Sequence, residues 1–140
     1  TSNCNLGSGI APIRRFMQAG IPVALGSDVS AGSGFSIFRA IHYTLQMAKM
    51  KWVHSNHQDM FLSLSEAFYL ATKSGGSFFG KVGSFEPGYA FDALVVDDSQ
   101  LNFDNYTLQH RLERYIYLGD DRHLTHRFCQ GKEITAPRIV

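Results

Sequence analysis

The chain has 140 residues, of which 44% are hydrophobic, and its formal net charge at pH 7 is +1. This length and composition predict one ordinary domain with its own core, and the mixture of basic and acidic residues gives no basic stripe of the kind that nucleic-acid-binding proteins carry. No apolar run approaches the roughly 20 residues needed to span a bilayer, so we expect a cytoplasmic protein that contacts small molecules or other proteins.

The two ends of the chain carry one cysteine each. Cys4 and Cys129 lie in unrelated contexts and lack the C-x-x-C spacing of zinc or redox motifs, which predicts reduced thiols. The opening TSNCNLGSG has no initiator Met and reads as loop sequence. We interpret the chain as a piece of a longer protein.

The first half of the chain is predicted to alternate helix, strand and helix. In SGIAPIRRFMQAG, Ser8 is a candidate N-cap and Gly20 a stop signal, which together predict a short amphipathic helix. IPVALGSD, residues 21–28, is typical of a buried parallel strand and ends in Asp28. FSIFRAIHYTLQMAKMKW has apolar residues at helical spacing and predicts a second helix over 35–52.

A third helix and several strands are predicted further along. SLSEAFYLATKSGG has Ser63 and Glu66 at capping-box spacing, and its ending in Gly75 and Gly76 predicts a stop there. Strands are predicted at about 91–96, 114–118 and 125–134, the last one folding back at Gln130-Gly131. The second half therefore reads as β-rich, with a boundary near 80–88.

The apolar strand over 21–28 needs neighbours. Both of its edges carry backbone amides and carbonyls, and each buried unpaired group costs about 1–3 kcal/mol. Either the later β segments pair with this strand, or its partners belong to sequence outside this chain.

Asp28 is the main candidate site residue. It stands at the carboxyl end of the predicted strand, where (β/α)8 barrels place their active-site residues. One interpretation is that the carboxylate caps the next turn by accepting from the amides of Ser30 or Gly32. The other is that it ligates a metal ion, which usually requires three or more protein ligands.

The histidines offer little support for a metal site. His54 and His57 are three residues apart, as are His123 and His126, but the first pair falls in a polar connection between helices and the second straddles a loop and the start of a strand. We therefore predict that neither pair binds a metal ion. His42 is predicted to pack on a helix.

Three blocks of the sequence resemble a known family when taken in order. TSNCNLGSGIAPIRRFMQAGIPVALGSDVSAG, LSEAFYLATKSGGSFFG and GSFEPGYAFDALVVD resemble the C-terminal part of the amidohydrolase superfamily, and YLGDDRHL and SNCNLGSG are similar to the guanine deaminase family within it. The resemblance implies an α/β fold. Residues 1–85 would be the C-terminal fragment of a distorted (β/α)8 metal-dependent hydrolase barrel, and residues 86–140 part of a small β-sandwich domain.

The resemblance also implies a role for Asp28 as both a catalytic residue and a metal ligand. It would bind one zinc ion, most of whose ligands lie outside this chain, and would move a proton from the zinc-bound water to the leaving group. The implied reaction is hydrolytic deamination of guanine to xanthine and ammonia. Because the family's histidine ligands, proton-shuttling glutamate and purine-binding residues come from earlier sequence, we expect the isolated chain to be inactive.

Several other residues are secondary candidates. Ser2 and Asn3 would lie on the active-site rim, either contacting substrate or bracing the loop. Asp92 is interpreted as a turn acceptor rather than a catalytic group. The charged run 120–122, Asp-Asp-Arg, is a solvated cluster, an internal brace or a dimer contact.

Two alternatives stay open. The chain could be part of another aminohydrolase of the superfamily, acting on a triazine, a pterin or an adenosine-like substrate. It could instead be a noncatalytic association fragment whose exposed sheet edges are covered by oligomerisation. The expected partners are a small-molecule purine substrate and a second copy in a homodimer, with no nucleic acid and no membrane.

Overall fold

The computed structural model describes residues 2–101 and 105–135, which form five α-helices, a π-helical turn, two 3-10 turns and a three-stranded sheet. The helices are α1 (Ser2–Asn5), α2 (Ile13–Gln18), α3 (Ile37–His54), α4 (Leu64–Tyr69) and α5 (Leu108–Leu118); the π-helical turn is Leu70–Ser74, the 3-10 turns are Ser77–Phe79 and Asp121–His123, and the strands are β1 (Ala93–Val96), β2 (Leu124–Cys129) and β3 (Lys132–Glu133). None of the helices in these residues is long and apolar enough to cross a membrane.

The core lies where α3, α4 and α5 meet. Ile41 and Leu45 project from one face of α3, one helical turn apart, and both are buried. They pack in one cluster with Ala67 of α4 and Ile116 of α5. Helical spacing thus explains why α3 forms and which face it buries, as its apolar pattern predicts.

The predicted capping box is confirmed at the start of α4. The Ser63 hydroxyl accepts from the Glu66 amide at 3.2 Å, and the Glu66 carboxylate accepts from the Ser63 amide at 2.8 Å. The predicted stop at Gly75 and Gly76 is wrong, because both have helical dihedral angles and the helical path ends at Gly80, whose φ is 105°. A Cβ at position 76 would lie 2.2 Å from the Val82 carbonyl oxygen, so glycine is needed there for close packing.

The helix that was predicted to begin near Ser8 is shorter than expected. α2 begins at Ile13 with Pro12 in the N-cap position, and no side chain caps it. The chain at Gly9 has a positive φ of 91°, which keeps the preceding residues out of the helix. Gly20, with φ of 70°, provides the predicted stop just beyond the helix end.

The predicted strand over 21–28 is not a strand in the structure. The later β segments pair with one another in the order β1-β2-β3, all antiparallel, and none of the three lies beside 21–28. With no neighbouring strand among the described residues, this segment runs extended and fastens to helical residues instead. The first of the two possibilities for its partners is thereby excluded.

The prediction of a strand over 114–118 is also wrong, because these residues belong to α5. Thr107 caps this helix by accepting from the His110 amide, and Tyr115 and Ile116 are buried on its inner face. The predicted strand near 91–96 and the fold-back at Gln130-Gly131 are confirmed by β1 and by the β2–β3 hairpin. Both turn residues have positive φ, 50° and 77°, as this hairpin type requires.

The second half of the chain is therefore mixed rather than β-rich. Phe38 of α3 and Tyr115 of α5 pack edge to face with ring centroids 4.7 Å apart, so α5 is part of the helical core. His42 packs against the Tyr117 ring at 4.4 Å, which confirms its predicted place on a packed helix. The division into residues 1–85 and 86–140 stays a prediction.

Candidate functional site

A cavity of about 340 Å³ opens between the N-terminal segment, α2, the extended segment and α3. This volume lies in the range of small-molecule sites. Three of the predicted site residues, Ser2, Asn3 and Asp28, line it together. The other residues that line the cavity are mostly apolar and include Ile10, Pro12, Phe16, Val23, Leu25, Tyr43, Met47, Met60 and Leu62.

Asp28 sits on a tight turn in an unusual backbone conformation. Its φ is 45°, in the left-handed region that non-glycine residues seldom adopt, and Ser30 has φ of 91°. The Gly32 amide donates to the Asp28 main-chain carbonyl at 2.5 Å. A Cβ at position 32 would lie 2.0 Å from the Ser27 carbonyl oxygen, so only glycine can close this turn.

The Asp28 carboxylate is not used as a cap. The Gly32 amide bonds the main-chain oxygen, and the side chain makes no hydrogen bond or ion pair with any residue of 2–101 or 105–135. The interpretation of Asp28 as a turn cap is therefore wrong. An exposed carboxylate at the wall of a cavity is available to bind a cation or to exchange a proton.

The extended segment that leads to Asp28 is held by the π-helical turn. The Leu25 amide donates to the Leu70 carbonyl at 3.2 Å, and the Ser74 hydroxyl donates to the Val23 carbonyl at 2.6 Å. The side chains of Val23 and Leu25 also pack on the buried cluster. These contacts fix the backbone from which the carboxylate projects.

The rim on the other side of Asp28 is braced by a residue that the sequence analysis missed. The Asn5 side-chain amide donates to the Ala31 carbonyl at 2.7 Å, joining the end of α1 to the loop after Asp28. Ser2 and Asn3 contribute main-chain carbonyls to turn bonds from Leu6 and Ser8. The motif SNCN contains two side-chain amides, Asn3 and Asn5, and sequence alone could not show which one bonds to the loop after Asp28.

Acidic groups near the cavity are compensated, unlike Asp28. Asp59, which is only 7% exposed, receives a 2.6 Å bond from the Arg15 guanidinium and lies 4.0 Å from the Lys51 ammonium. Arg14 forms a two-pronged ion pair with Glu66, at 2.7 and 2.9 Å, and this pairing lowers the pKa of the Glu66 carboxyl from 4.5 to about 2. These groups tie loops to helices and are not free acids.

Within the described residues, the two histidine pairs do not join other donors to form a metal site. The His57 ring packs at a tilt against the Trp52 ring, with centroids 4.0 Å apart, and the His126 ring nitrogen lies 2.6 Å from the Glu133 carboxylate. Among the residues described, no three His, Cys, Asp or Glu side chains come together in a way that could hold a metal ion. Asp28 is therefore a single donor, and these residues do not by themselves fit a zinc site.

The remaining candidates lie away from the cavity. The Asp92 carboxylate accepts from the Gln130 amide at 2.7 Å, so it is the turn acceptor that was predicted. Asp120 receives two-pronged bonds from Arg122, which lower the pKa of its carboxyl. It also accepts from the Arg122 amide, so the pair braces its own 3-10 turn. Asp121 is exposed.

Known proteins of one family resemble this chain along nearly its whole length. Residues 1–134 match the model of the amidohydrolase family. The chain is 35% identical to a guanine deaminase of Dictyostelium discoideum over 95% of its own length and 31% of that protein. It superposes on a solved structure of guanine deaminase from C. acetobutylicum with bound guanine in the active site, with a TM-score of 0.93 and 60% identity, covering 96% of this chain and 32% of the other.

A third similarity is to an adenosine deaminase from Xanthomonas campestris that was solved with bound zinc. It has a TM-score of 0.75 and 27% identity, and covers 94% of this chain and 30% of the other. The chain thus spans about a third of the length of the proteins that it resembles.

Proposed function

Because the chain belongs to the amidohydrolase family and has its fold, we propose that it forms one part of a metal-dependent hydrolase that deaminates guanine to xanthine and ammonia. In this proposal residues 1–85 are the last part of a distorted (β/α)8 barrel, and residues 86–140 contribute to a β-sandwich. The observation that carries the proposal is the Asp28 carboxylate at the cavity wall, which has no partner among the described residues, in a chain 60% identical to a guanine deaminase.

Within this chain, Asp28 is the group that handles a proton in this reaction. Hydrolysis of guanine adds water at the carbon that bears the exocyclic amine, so one proton must leave the water and another must reach the departing ammonia. A carboxylate that is free of other partners can accept the first and deliver the second. Neither Asp59 nor Glu66 suits this task, because each already pairs with an arginine.

The backbone at Asp28 supports this assignment. A left-handed conformation at a non-glycine residue is uncommon, and such conformations are often found at functional sites. Here Gly32 closes the turn. The Asp28 side chain lines the cavity and does not accept from the backbone amides of the described residues. A structural aspartate would be expected to accept one of those amides.

A metal ion fits the proposal only with donors from outside the 140 residues. Asp28 would supply one carboxylate oxygen, and a bound divalent ion such as zinc would acidify a water molecule. The similar adenosine deaminase with bound zinc supports zinc as the metal. Since the described residues offer no further donor set, we propose that the isolated chain has no deaminase activity.

The test is a chimera in which this chain replaces the matching third of the C. acetobutylicum guanine deaminase. We expect the chimera to release ammonia from guanine, and we expect Asp28→Asn to abolish this release. Asp28→Asn is the right substitution because Asn also tolerates the left-handed conformation. Asp121→Asn is the matched control, since Asp121 is exposed and is not among the residues that line the cavity.

A folded chimera that fails to act on guanine would contradict the proposal. Thermal melting establishes folding, and the 140-residue chain alone, assayed with added zinc, should produce no ammonia. Turnover by the isolated chain would show that its own residues complete the site.

A second candidate substrate class is favoured by one observation, the similarity to an adenosine deaminase. The same chimera assayed with adenosine-like, pterin and triazine amines would separate this possibility from guanine. The noncatalytic alternative predicts concentration-dependent association of the isolated chain in sedimentation. A cytoplasmic location and a homodimer stay predictions.

A further inference from the structure

The helix that begins at Ser63 changes its form at the place where it meets the extended segment. Residues Leu64–Tyr69 are α-helical, and Leu70–Ser74 form one π-helical turn before helical dihedral angles continue at Gly75. Single π turns inside α-helices are uncommon and are found frequently at functional sites. The contacts between this π-helical turn and the segment that carries Asp28 are therefore of interest.

The π turn provides two hydrogen bonds to the segment that ends in Asp28. The Leu70 carbonyl accepts from Leu25 at 3.2 Å, and the Ser74 hydroxyl donates to the carbonyl of Val23 at 2.6 Å. The two hydrogen bonds hold the residues on either side of Ala24. They take the place of the ladder bonds that a neighbouring strand would make.

The π-helical turn and the segment also lie close together at Gly75. A Cβ at position 75 would lie 3.6 Å from the Ala24 side chain and 3.4 Å from the Leu70 carbonyl oxygen. These are ordinary van der Waals distances, so the helix lies close to the segment at this position without a steric need for glycine. The fastening is a packed interface with two directional bonds, rather than one isolated contact.

From Val23 the chain runs extended to Asp28, five residues later, and then turns sharply. Because the side chains of Val23 and Leu25 are packed on the core, little freedom remains between the fastening and the carboxylate. A displacement at Val23 is consequently carried along the segment to Asp28. Misplacement of a reacting group by about 1 Å can reduce a rate by about a hundredfold.

We propose that Ser74 is a positioning residue for Asp28, acting through its hydrogen bond to the Val23 carbonyl. The inference rests on the proposed function, because it assumes that Asp28 handles the proton. Ser74 touches neither substrate nor the reacting atoms in this account. It sets where the carboxylate stands.

The first test measures the fastening without any activity. Amide hydrogen exchange of the 140-residue chain, followed by NMR, reports the bond of Leu25 to Leu70 directly. We expect Ser74→Ala to speed exchange at Leu25 by about tenfold, and Ser74→Thr to keep it slow. Thr72→Val is the matched control, since among the described residues the Thr72 hydroxyl bonds only the Phe68 carbonyl one helical turn earlier, at 2.8 Å.

The second test measures positioning in the chimera with the C. acetobutylicum enzyme. We expect Ser74→Ala to lower kcat for guanine by about three- to tenfold while KM changes by less than about twofold, because a misplaced proton acceptor slows the reaction without loosening substrate. Ser74→Thr should restore kcat. Thr72→Val should leave kcat unchanged.

Each outcome decides the proposal. Faster exchange at Leu25 with unchanged kcat would show fastening without positioning and would overturn it, as would an equal loss of kcat in Thr72→Val. Unchanged exchange together with unchanged kcat would overturn it as well. Failure of the proposed function is recognised separately, because Asp28→Asn would then retain full activity whatever Ser74 does.

Discussion

Replacing Glu66 by glutamine should destabilise the chain at neutral pH and leave its stability almost unchanged in strong acid. Both oxygens of the Glu66 carboxylate are bonded by the Arg14 guanidinium, at 2.7 and 2.9 Å, and one of them also accepts from Ser63. Arg14 in turn donates to the carbonyls of Met60 and Phe61. The pair therefore joins α2, the loop before α4, and the start of α4.

The size of the effect follows from the pKa of this carboxyl. The hydrogen bonds from Arg14 lower it from 4.5 to about 2, a difference that corresponds to about 3.4 kcal/mol at full strength. The Glu66 side chain is 33% exposed and that of Arg14 is 20% exposed, so solvent screening weakens the pair. We expect Glu66→Gln to lower the free energy of unfolding by about 1–2 kcal/mol at pH 7.

The pH dependence has a definite sign. The folded-state pKa lies below the unfolded one, so the stabilisation is fully present above about pH 4.5 and is lost as the pH falls through the range down to about 2. Urea unfolding of the wild type and of Glu66→Gln should be measured at pH 7, 4 and 2.5. The difference between their free energies of unfolding should shrink as the pH falls. Glu113→Gln is the control, because Glu113 is exposed on α5 and makes no ion pair within the described residues.

A difference between wild type and Glu66→Gln that is the same at pH 7 and pH 2.5 would refute this reasoning. The loss would then come from packing or from the altered cap rather than from the charge. An effect no larger than that of Glu113→Gln would refute it equally.

Two glycine substitutions test the geometry around the site, with Gly34→Ala as their common control because nothing lies within 4 Å of a Cβ there. Gly32→Ala should distort the turn at the cavity wall, since the added Cβ would lie 2.0 Å from the Ser27 carbonyl oxygen. We expect a chimera that carries this substitution to lose most of its guanine turnover. Full turnover would contradict the geometry described for this turn. Gly76→Ala should destabilise the chain by about 1–3 kcal/mol in urea unfolding, because the added Cβ would lie 2.2 Å from the Val82 carbonyl oxygen. Wild-type stability of this variant would show that the loop around Val82 moves aside at little cost.

Local signals predicted much of the fold. The capping box at Ser63 and Glu66, the apolar face of α3 and the hairpin at Gln130-Gly131 each depend on residues within a few positions of one another. Such features are encoded by short-range chemistry, so a single sequence suffices to find them.

The errors arose where distant residues decide the structure. The run around Tyr115 and Ile116 has high β propensity, but its spacing from Leu112 places all three on one helical face that packs on α3. Composition predicts a strand over 21–28, whereas a strand requires a neighbour that the described part of this chain does not supply. Tertiary contacts, not local preference, settled both segments.

The candidate site was predicted in part for the same reason. Asp28 was identified by its place after an apolar run and by the family resemblance, and the structure puts it in one cavity lining with Ser2 and Asn3. Asn5 and Ser74 were missed, because each acts by a single hydrogen bond to a carbonyl 26 or 51 residues away. No pattern in the sequence marks such a bond.

The most direct measurement of the central claim is the kcat for guanine of the chimera with and without Asp28→Asn, at equal folded fraction by thermal melting. The account predicts a fall of about 10²–10⁴-fold, the contribution of a positioned proton-transfer group, with Asp121→Asn unaffected. A chimera in which Asp28→Asn keeps wild-type kcat would contradict the account, and the proton-transfer role would have to be assigned to another residue.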